Sequence, residues 1–146
     1  MMKQSAWLNI LSMFETGDVV HFYSSLAGKG KYHICLIVGC ADGIHEFLFV
    51  NSSGGYDGDI TFSDGDSDGE IPGLPKSKTE STSVSFSQLI RVKANKMALW
   101  NPEVKGAVPP EIIERLIEHA KHVPTLNVRE RTRVVLSLES ILVKQK

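Results

Sequence analysis

The stretch from Thr16 to Ser53 constrains the fold of this chain more than any other. It contains three short runs rich in β-branched and aromatic residues, at 19–23, 34–38 and 47–50, and glycine-bearing turns separate them. Runs of this kind, bounded by turn residues, are typical of consecutive antiparallel strands. The run at 34–38 is apolar throughout, which indicates a central strand covered on both faces. We therefore expect an antiparallel meander at the centre of the fold.

Helical spacing of apolar residues predicts helices on both sides of the strand-rich region. An N-terminal helix is expected over residues 3–14. A second helix opens near Pro109, because proline is tolerated in a first helical turn, and it ends at Pro124. A third helix follows Asn127, which has the capping-box spacing with Glu130. The pattern predicts an α+β fold, with a curled antiparallel sheet, an N-terminal helix and two C-terminal helices.

Length and composition fit a single domain over residues 1–146, with a long acidic loop at about 54–82. A further strand candidate, over 83–92, alternates apolar residues with serines, and 60–62 and 70–71 are shorter candidates. No run reaches the roughly 18 apolar residues of a membrane span, and the N-terminus lacks a signal-peptide pattern. We therefore expect no membrane contact, a cytoplasmic location and reduced thiols at the two cysteines.

Charge is distributed unevenly along the chain. Residues 57–70 carry a charge of −6 in a chain whose net charge is −1, so the remaining residues carry +5. A basic body of this kind can bind a polyanion, and the acidic segment either solvates the surface, gates the site or mimics nucleic acid. Asp64, Asp66 and Asp68 match the first half of a calcium loop, but Pro75 stands where that loop needs glutamate. We expect no metal ion and no cofactor.

Five short motifs occur in an order and spacing that resemble the MazF/PemK family of toxin endoribonucleases. The first strand opens with Gly17-Asp18-Val19-Val20, and Lys31–Val38 forms the second strand. A third strand has its polar end at Val50–Ser53, a hydroxyl-rich strand leads through Ser87–Val92, and a helix opens within Lys105–Ile113. The resemblance covers about residues 16–120. It implies a small SH3-like β-barrel.

The resemblance implies a sequence-selective, metal-independent endoribonuclease of a toxin–antitoxin or related defence system. In this reaction the ribose 2′-hydroxyl attacks the adjacent phosphate, which requires a base, a cation and an acid. The family's hydroxyl residue falls at Ser52 or Ser53. Its arginine has no match, and the corresponding place falls at Lys31 to His33. The catalytic candidates are therefore His33, Ser52 and Lys31.

Four further residues are candidates for RNA binding by the same resemblance, namely Lys29, Ser53, Gln88 and Arg91. His119 and His122 lie one helical turn apart, but no third ligand is near them in the sequence, so a solvated helix face is the simpler interpretation. The implied partners are single-stranded RNA, an antitoxin protein and a second copy of the chain held by the barrel edges. The missing arginine and the acidic loop keep an alternative open, in which a non-catalytic barrel of the same fold binds a protein partner.

Overall fold

The computed structural model describes residues 14–24, 27–39, 43–51, 58–63, 71–74 and 81–145. Several features predicted from the sequence lie outside these ranges. They are the N-terminal helix, apart from its last residue, together with Cys40, Ser52, Ser53 and the acidic residues of 64–70.

The predicted antiparallel meander is confirmed. Strand β1 spans Asp18–Ser24, β2 spans Lys29–Ile37 and β3 spans Ile44–Asn51. Strand β2 pairs with β1 on one side and with β3 on the other. It is therefore an interior strand, as its apolar run predicted, and its residues 33–36 are buried.

Three more strands complete the sheet. Strand β4 spans Ile60–Ser63, β5 spans Ser81–Lys93 and β6 spans Glu103–Ala107. All pairings are antiparallel, in the order β4-β5-β3-β2-β1-β6. Strand β6 was not predicted, because an edge strand with four exposed residues lacks the alternation that marks a half-buried strand. The predicted strand at 70–71 is wrong at Ile71, which lies in a bend and is buried.

The helices of the described chain all follow β5. Helix α1 spans Ala94–Met97 and continues into a 3-10 turn at Ala98–Trp100. Helix α2 spans Pro110–His122, and α3 spans Val128–Gln145. The capping box before α3 is confirmed. The Glu130 amide donates to Asn127 Oδ1 at 2.8 Å, and the Asn127 amide donates to Glu130 Oε1 at 3.1 Å.

The sheet curls, and each of its faces has its own apolar core. One face packs against α2 and α3, where Ile34, Leu36 and Leu48 meet side chains such as Leu116 and Leu138. The other face is concave, because β1 and β5 line a common groove on it although β2 and β3 lie between them in the sheet. The aromatic cluster of this concave face contains no residue of α2 or α3. The two helices therefore leave the concave face open.

A buried carboxylate ties α3 to the sheet. Glu46 on β3 is only 4% exposed, and Arg133 on α3 approaches it with two nitrogens, Nε at 3.3 Å from Oε1 and Nη2 at 3.0 Å from Oε2. Arg91 on the neighbouring strand β5 adds a contact of 3.4 Å from Nε to Oε2. Bidentate arginine contacts with a carboxylate are strong and directional, so this cluster fixes the position of α3.

The segment at 71–74 returns to the sheet and packs against β6. A Cβ atom on Gly73 would lie 2.3 Å from the Lys105 carbonyl oxygen, and one on Gly106 would lie 2.6 Å from that of Pro72. Gly73 also has a φ of +91°, which disfavours any side chain. Two glycines thus allow the two backbones to cross closely, and the crossing covers part of an edge strand.

No helix in the described part of the chain is long and apolar enough to cross a bilayer. Cys35 is a buried free thiol, as expected, and burial raises its pKa well above the usual range. The thiol is therefore protonated and belongs to the core of the concave face.

Candidate nucleic-acid interface

An aromatic column runs from the core of the concave face towards its surface. The His33 ring on β2 stacks on Phe22 of β1, with ring centroids 3.8 Å apart and an interplanar angle of 11°. Trp100 continues the column at 6.1 Å and 12° from Phe22, and Tyr23 meets Trp100 edge-on at 5.7 Å. His33 is 0% exposed, whereas Tyr23 is 45% exposed. The column therefore ends in aromatic rings that solvent can reach.

The 3-10 turn after α1 places Trp100 in this column. Asn101 follows it in the left-handed conformation, with a φ of 47°, and redirects the chain into β6. Lys96, one turn before Trp100, holds its ammonium group 5.6 Å from the indole centroid. These residues were not predicted from the sequence as part of a site. The sequence offered one signal of a short helical turn here, since Met97 and Trp100 are three residues apart and follow the predicted strand at 83–92.

A groove of about 340 Å³ surrounds the exposed end of the column. Its apolar and aromatic lining comes from β1, β5 and Trp100, and its cationic residues are Arg91, Lys93 and Lys96. None of the described residues that line it is acidic. Aromatic rings next to cations, without carboxylates, are the surface on which bases stack and phosphates pair.

Two lysines of the β1–β2 hairpin extend this positive surface. Lys31 pairs with Phe22 and Lys29 with Ser24, and directly paired residues of antiparallel strands share one face of the sheet. The same two lysines also line a second groove of about 250 Å³. Its other described lining residues are Gly30, Tyr32, Val50, Leu74 and Thr82, none of which is charged.

The hairpin thus brings Lys29 and Lys31 together on one strand, whereas the sequence indicated a strand only from residue 34 and a turn before it. Strand β3 reaches the second groove with Val50, and Asn51 is the last described residue before Ser52 and Ser53. Arg91 lines the first groove, although its guanidinium also contacts Glu46. Gln88 is exposed on β5 and lines neither groove.

His33 lies in the core and not at the surface. Burial lowers its pKa from 6.5 to about 3, and the opposing influence of the Val20 and Lys31 backbone is smaller. Neither ring nitrogen has a hydrogen-bond partner among the described residues. The imidazole is therefore neutral at physiological pH, and Phe22, Phe47 and Phe49 surround it. A ribose hydroxyl or a phosphate cannot reach this ring in the structure.

A cavity of about 810 Å³ lies along α2 and has the opposite charge. Four carboxylates line it, those of Asp59, Glu111, Glu114 and Glu118. His119 is partly buried there, and its Nε2 lies 2.7 Å from the Gly58 carbonyl oxygen, so the expectation of a solvated helix face is wrong for His119. Among the residues that the structure describes, no three His, Cys, Asp or Glu side chains are placed so that they could hold one metal ion. This acidic cleft repels nucleic acid.

Comparison of the chain with protein-family models, with curated proteins and with solved structures finds no match. The assignment of a function therefore depends on the residues and the geometry described above. The groove on the concave face combines the exposed rings of Tyr23 and Trp100 with cationic residues, while the second groove, which Lys29 and Lys31 line, is bordered by Tyr32, Val50 and Leu74 of the opposite core. The concave face is the strongest candidate for a functional surface in the described part of the chain.

Proposed function

We propose that this chain is a MazF/PemK-like protein with an SH3-like barrel and that it binds single-stranded RNA on its concave face. The observation that carries the proposal is the aromatic column that ends at Tyr23 and Trp100 in a groove lined by cations. Single strands present both unstacked bases and phosphates, and such a surface matches both. A duplex hides its bases and gains nothing from the exposed rings.

Binding is tested by fluorescence anisotropy with a short, unstructured RNA. Trp100→Ala should weaken binding about 5- to 150-fold, since stacking of one base contributes about 1–3 kcal/mol. Lys29→Ala combined with Lys31→Ala should lower the slope of log K against log salt by about 1.4, because each phosphate contact on a single strand contributes about 0.7.

A matched control replaces two lysines that line neither groove, Lys105 on β6 and Lys144 on α3. This double alanine variant should keep the salt slope of the wild type. Equal losses in both double variants would indicate a general charge effect and refute the site. If wild-type protein binds no RNA, the proposal fails, and the alternative of a barrel that binds a protein partner becomes the better hypothesis.

A second candidate function is the RNA cleavage that the resemblance implies. The specific observation in its favour is that Lys29, Lys31 and Val50 line one groove, and Val50 precedes Ser52 by two positions in the sequence. In this reaction the 2′-oxygen bonds to phosphorus and the bond from phosphorus to the 5′-oxygen breaks. A base takes the 2′-hydroxyl proton, and the 5′-oxygen receives a proton as it leaves. The products are a 2′,3′-cyclic phosphate and a 5′-hydroxyl.

Cleavage is tested by incubating the purified protein with end-labelled RNA in the presence of a metal chelator. Lys31→Ala and Ser52→Ala should each slow cleavage about 100-fold or more, since loss of an electrostatic or proton-transferring group costs that much. His33→Phe should leave the rate within a few-fold of wild type, because the ring is buried. A rate that falls to the level of Lys31→Ala in a folded His33→Phe variant would restore the catalytic role that the resemblance gives to His33.

Other consequences of the resemblance remain predictions. They are the antitoxin partner, the toxic effect on growth and the cytoplasmic location. Induced expression in a bacterial host provides one readout, since a toxin arrests growth and Lys31→Ala should relieve the arrest if cleavage is the cause.

A further inference from the structure

Helix α3 carries a second apolar stripe on the side that faces away from the core. Its core side chains are Val134, Leu138 and Ile141. On the outer side, Val128, Leu136 and Val143 are 69%, 60% and 73% exposed. With about 100° of rotation per residue, the outer stripe occupies a sector of about 100°. In chain order it consists of Val128, Thr132, Val135, Leu136, Glu139 and Val143, and Val135 lies at its margin, where it also packs against the core.

A groove of about 420 Å³ runs beside this stripe. Four of the stripe residues line it, namely Val128, Thr132, Val135 and Leu136, together with Arg131 and Lys121. The stripe and the groove thus offer apolar projections and an apolar recess on one surface, with two cations at the recess. Three exposed apolar side chains on one side of a helix, beside a groove that is partly apolar, mark an interaction site more often than scattered single residues do.

The order of residues in the stripe is symmetric about the point between Val135 and Leu136. Val128 and Val143 are equally far from that point, and so are Thr132 and Glu139. In an antiparallel pair of α3 helices, Val128 therefore faces Val143 of a second copy, and Val135 faces Leu136. Interfaces with two-fold symmetry require this kind of self-complementarity.

Charge favours the antiparallel arrangement over the parallel one. In a parallel pair Glu139 would face Glu139 of the second copy, and the like charges would repel. In an antiparallel pair Glu139 instead faces Thr132 of the second copy, next to Arg131 and Lys121 in the groove. The acidic residue of each copy thus meets the cationic groove of the other.

We propose that the outer stripe of α3 is an isologous interface between two copies of this chain, with the two α3 helices antiparallel. This surface differs from the barrel edges that the resemblance implies for a homodimer. Helix α3 spans 18 residues, about 27 Å. One helix pair of this length lies at the low end of specific interface areas, below about 1,200 Å², so the dimer is weak and depends on concentration.

The arrangement leaves the RNA-binding surface of each copy accessible. Helix α3 covers the sheet face opposite to the concave one, so a dimer through α3 presents two concave faces. One RNA strand held at both faces gains affinity through effective concentration. The dimer itself does not depend on RNA binding, and its test below contains no RNA.

Sedimentation equilibrium of the full chain tests the proposal, over about two orders of magnitude in concentration around the micromolar range expected for so small an interface. Wild type should pass from monomer to dimer. Leu136→Glu should weaken the dimer at least tenfold, roughly the cost of an unpaired charge at an interface centre. Leu99→Glu is the matched control, because Leu99 is 80% exposed and lies outside α3, and it should dimerise as wild type does.

A charge exchange tests the antiparallel geometry. Glu139→Arg and Arg131→Glu should each weaken the dimer, and the double variant should restore it, because the exchanged charges again face each other. Circular dichroism verifies that each variant is folded. A wild type that stays monomeric at every concentration, or a folded Leu136→Glu variant that dimerises as tightly as wild type, would overturn the interface. A dimer without rescue in the double variant would overturn the antiparallel arrangement.

Discussion

Acidification from pH 6.5 to about 4.5 should destabilise the folded protein by about 2–3 kcal/mol through His33 alone. Burial lowers the pKa of His33 from 6.5 to about 3 in the folded state. As the pH falls below 6.5, His33 therefore binds a proton in the unfolded chain but stays neutral in the folded chain. Stability is independent of this group above pH 6.5, falls by about 1.4 kcal/mol per pH unit below it, and levels off near pH 3.

A second buried histidine acts in the same direction. Burial also lowers the pKa of His45, and its Nδ1 accepts a hydrogen bond from the Gly39 amide at 2.9 Å. Protonation of Nδ1 would remove this acceptor. His45 therefore adds to the acid sensitivity that His33 causes.

The measurement is urea unfolding at a series of pH values for wild type and His33→Phe. Phenylalanine preserves a ring against Phe22 and removes the titrating group, so the variant should lose most of the pH dependence between about 6 and 4. The exposed residue His122 provides the control, since His122→Gln should keep the wild-type slope. Parallel pH profiles for wild type and His33→Phe would show that His33 is accessible to protons in the folded protein, contrary to the structure.

Arg133→Met should lower the free energy of unfolding by about 2–4 kcal/mol. The substitution removes the bidentate contact with Glu46 and leaves that carboxylate buried, with only the longer contact from Arg91. Loss of one partner of a buried ion pair is costly because the desolvated charge remains. Arg129→Met is the matched control, since Arg129 is an exposed arginine on the same helix, and it should change stability by less than about 0.5 kcal/mol.

A double variant separates the cost of the orphaned charge from the loss of packing. Glu46→Leu in the Arg133→Met background removes the buried carboxylate, so the double variant should be more stable than Arg133→Met alone. Chemical denaturation at neutral pH with unchanged m-values provides the comparison. If Arg133→Met and Arg129→Met are equally stable, the contact between α3 and β3 contributes nothing to the fold.

Strands β1 to β5 and the two long helices were predictable because their signals are local. Strand β2 is marked by a continuous apolar run, and the start of α3 is marked by the spacing of Asn127 and Glu130. Strand β6 was missed for the same reason, because its residues are mostly exposed and its partner β1 lies more than 80 positions earlier in the sequence. The 3-10 turn that presents Trp100 is too short to show a period.

Once β2 begins at Lys29, the two-residue period of a strand places Lys29 and Lys31 on one face of the sheet. For this site the sequence indicated a strand only over 34–38, with both lysines in the preceding turn. It did not determine whether that period carries His33 to the surface or into the core, because both faces of β2 are covered. The position of His33 depends on the curl of the sheet, which leaves Phe22, Phe47 and Phe49 around the ring. The same curl brings β1 and β5 to one groove with Trp100 at its rim. Curvature arises from long-range pairing and packing, and no local pattern in the sequence encodes it.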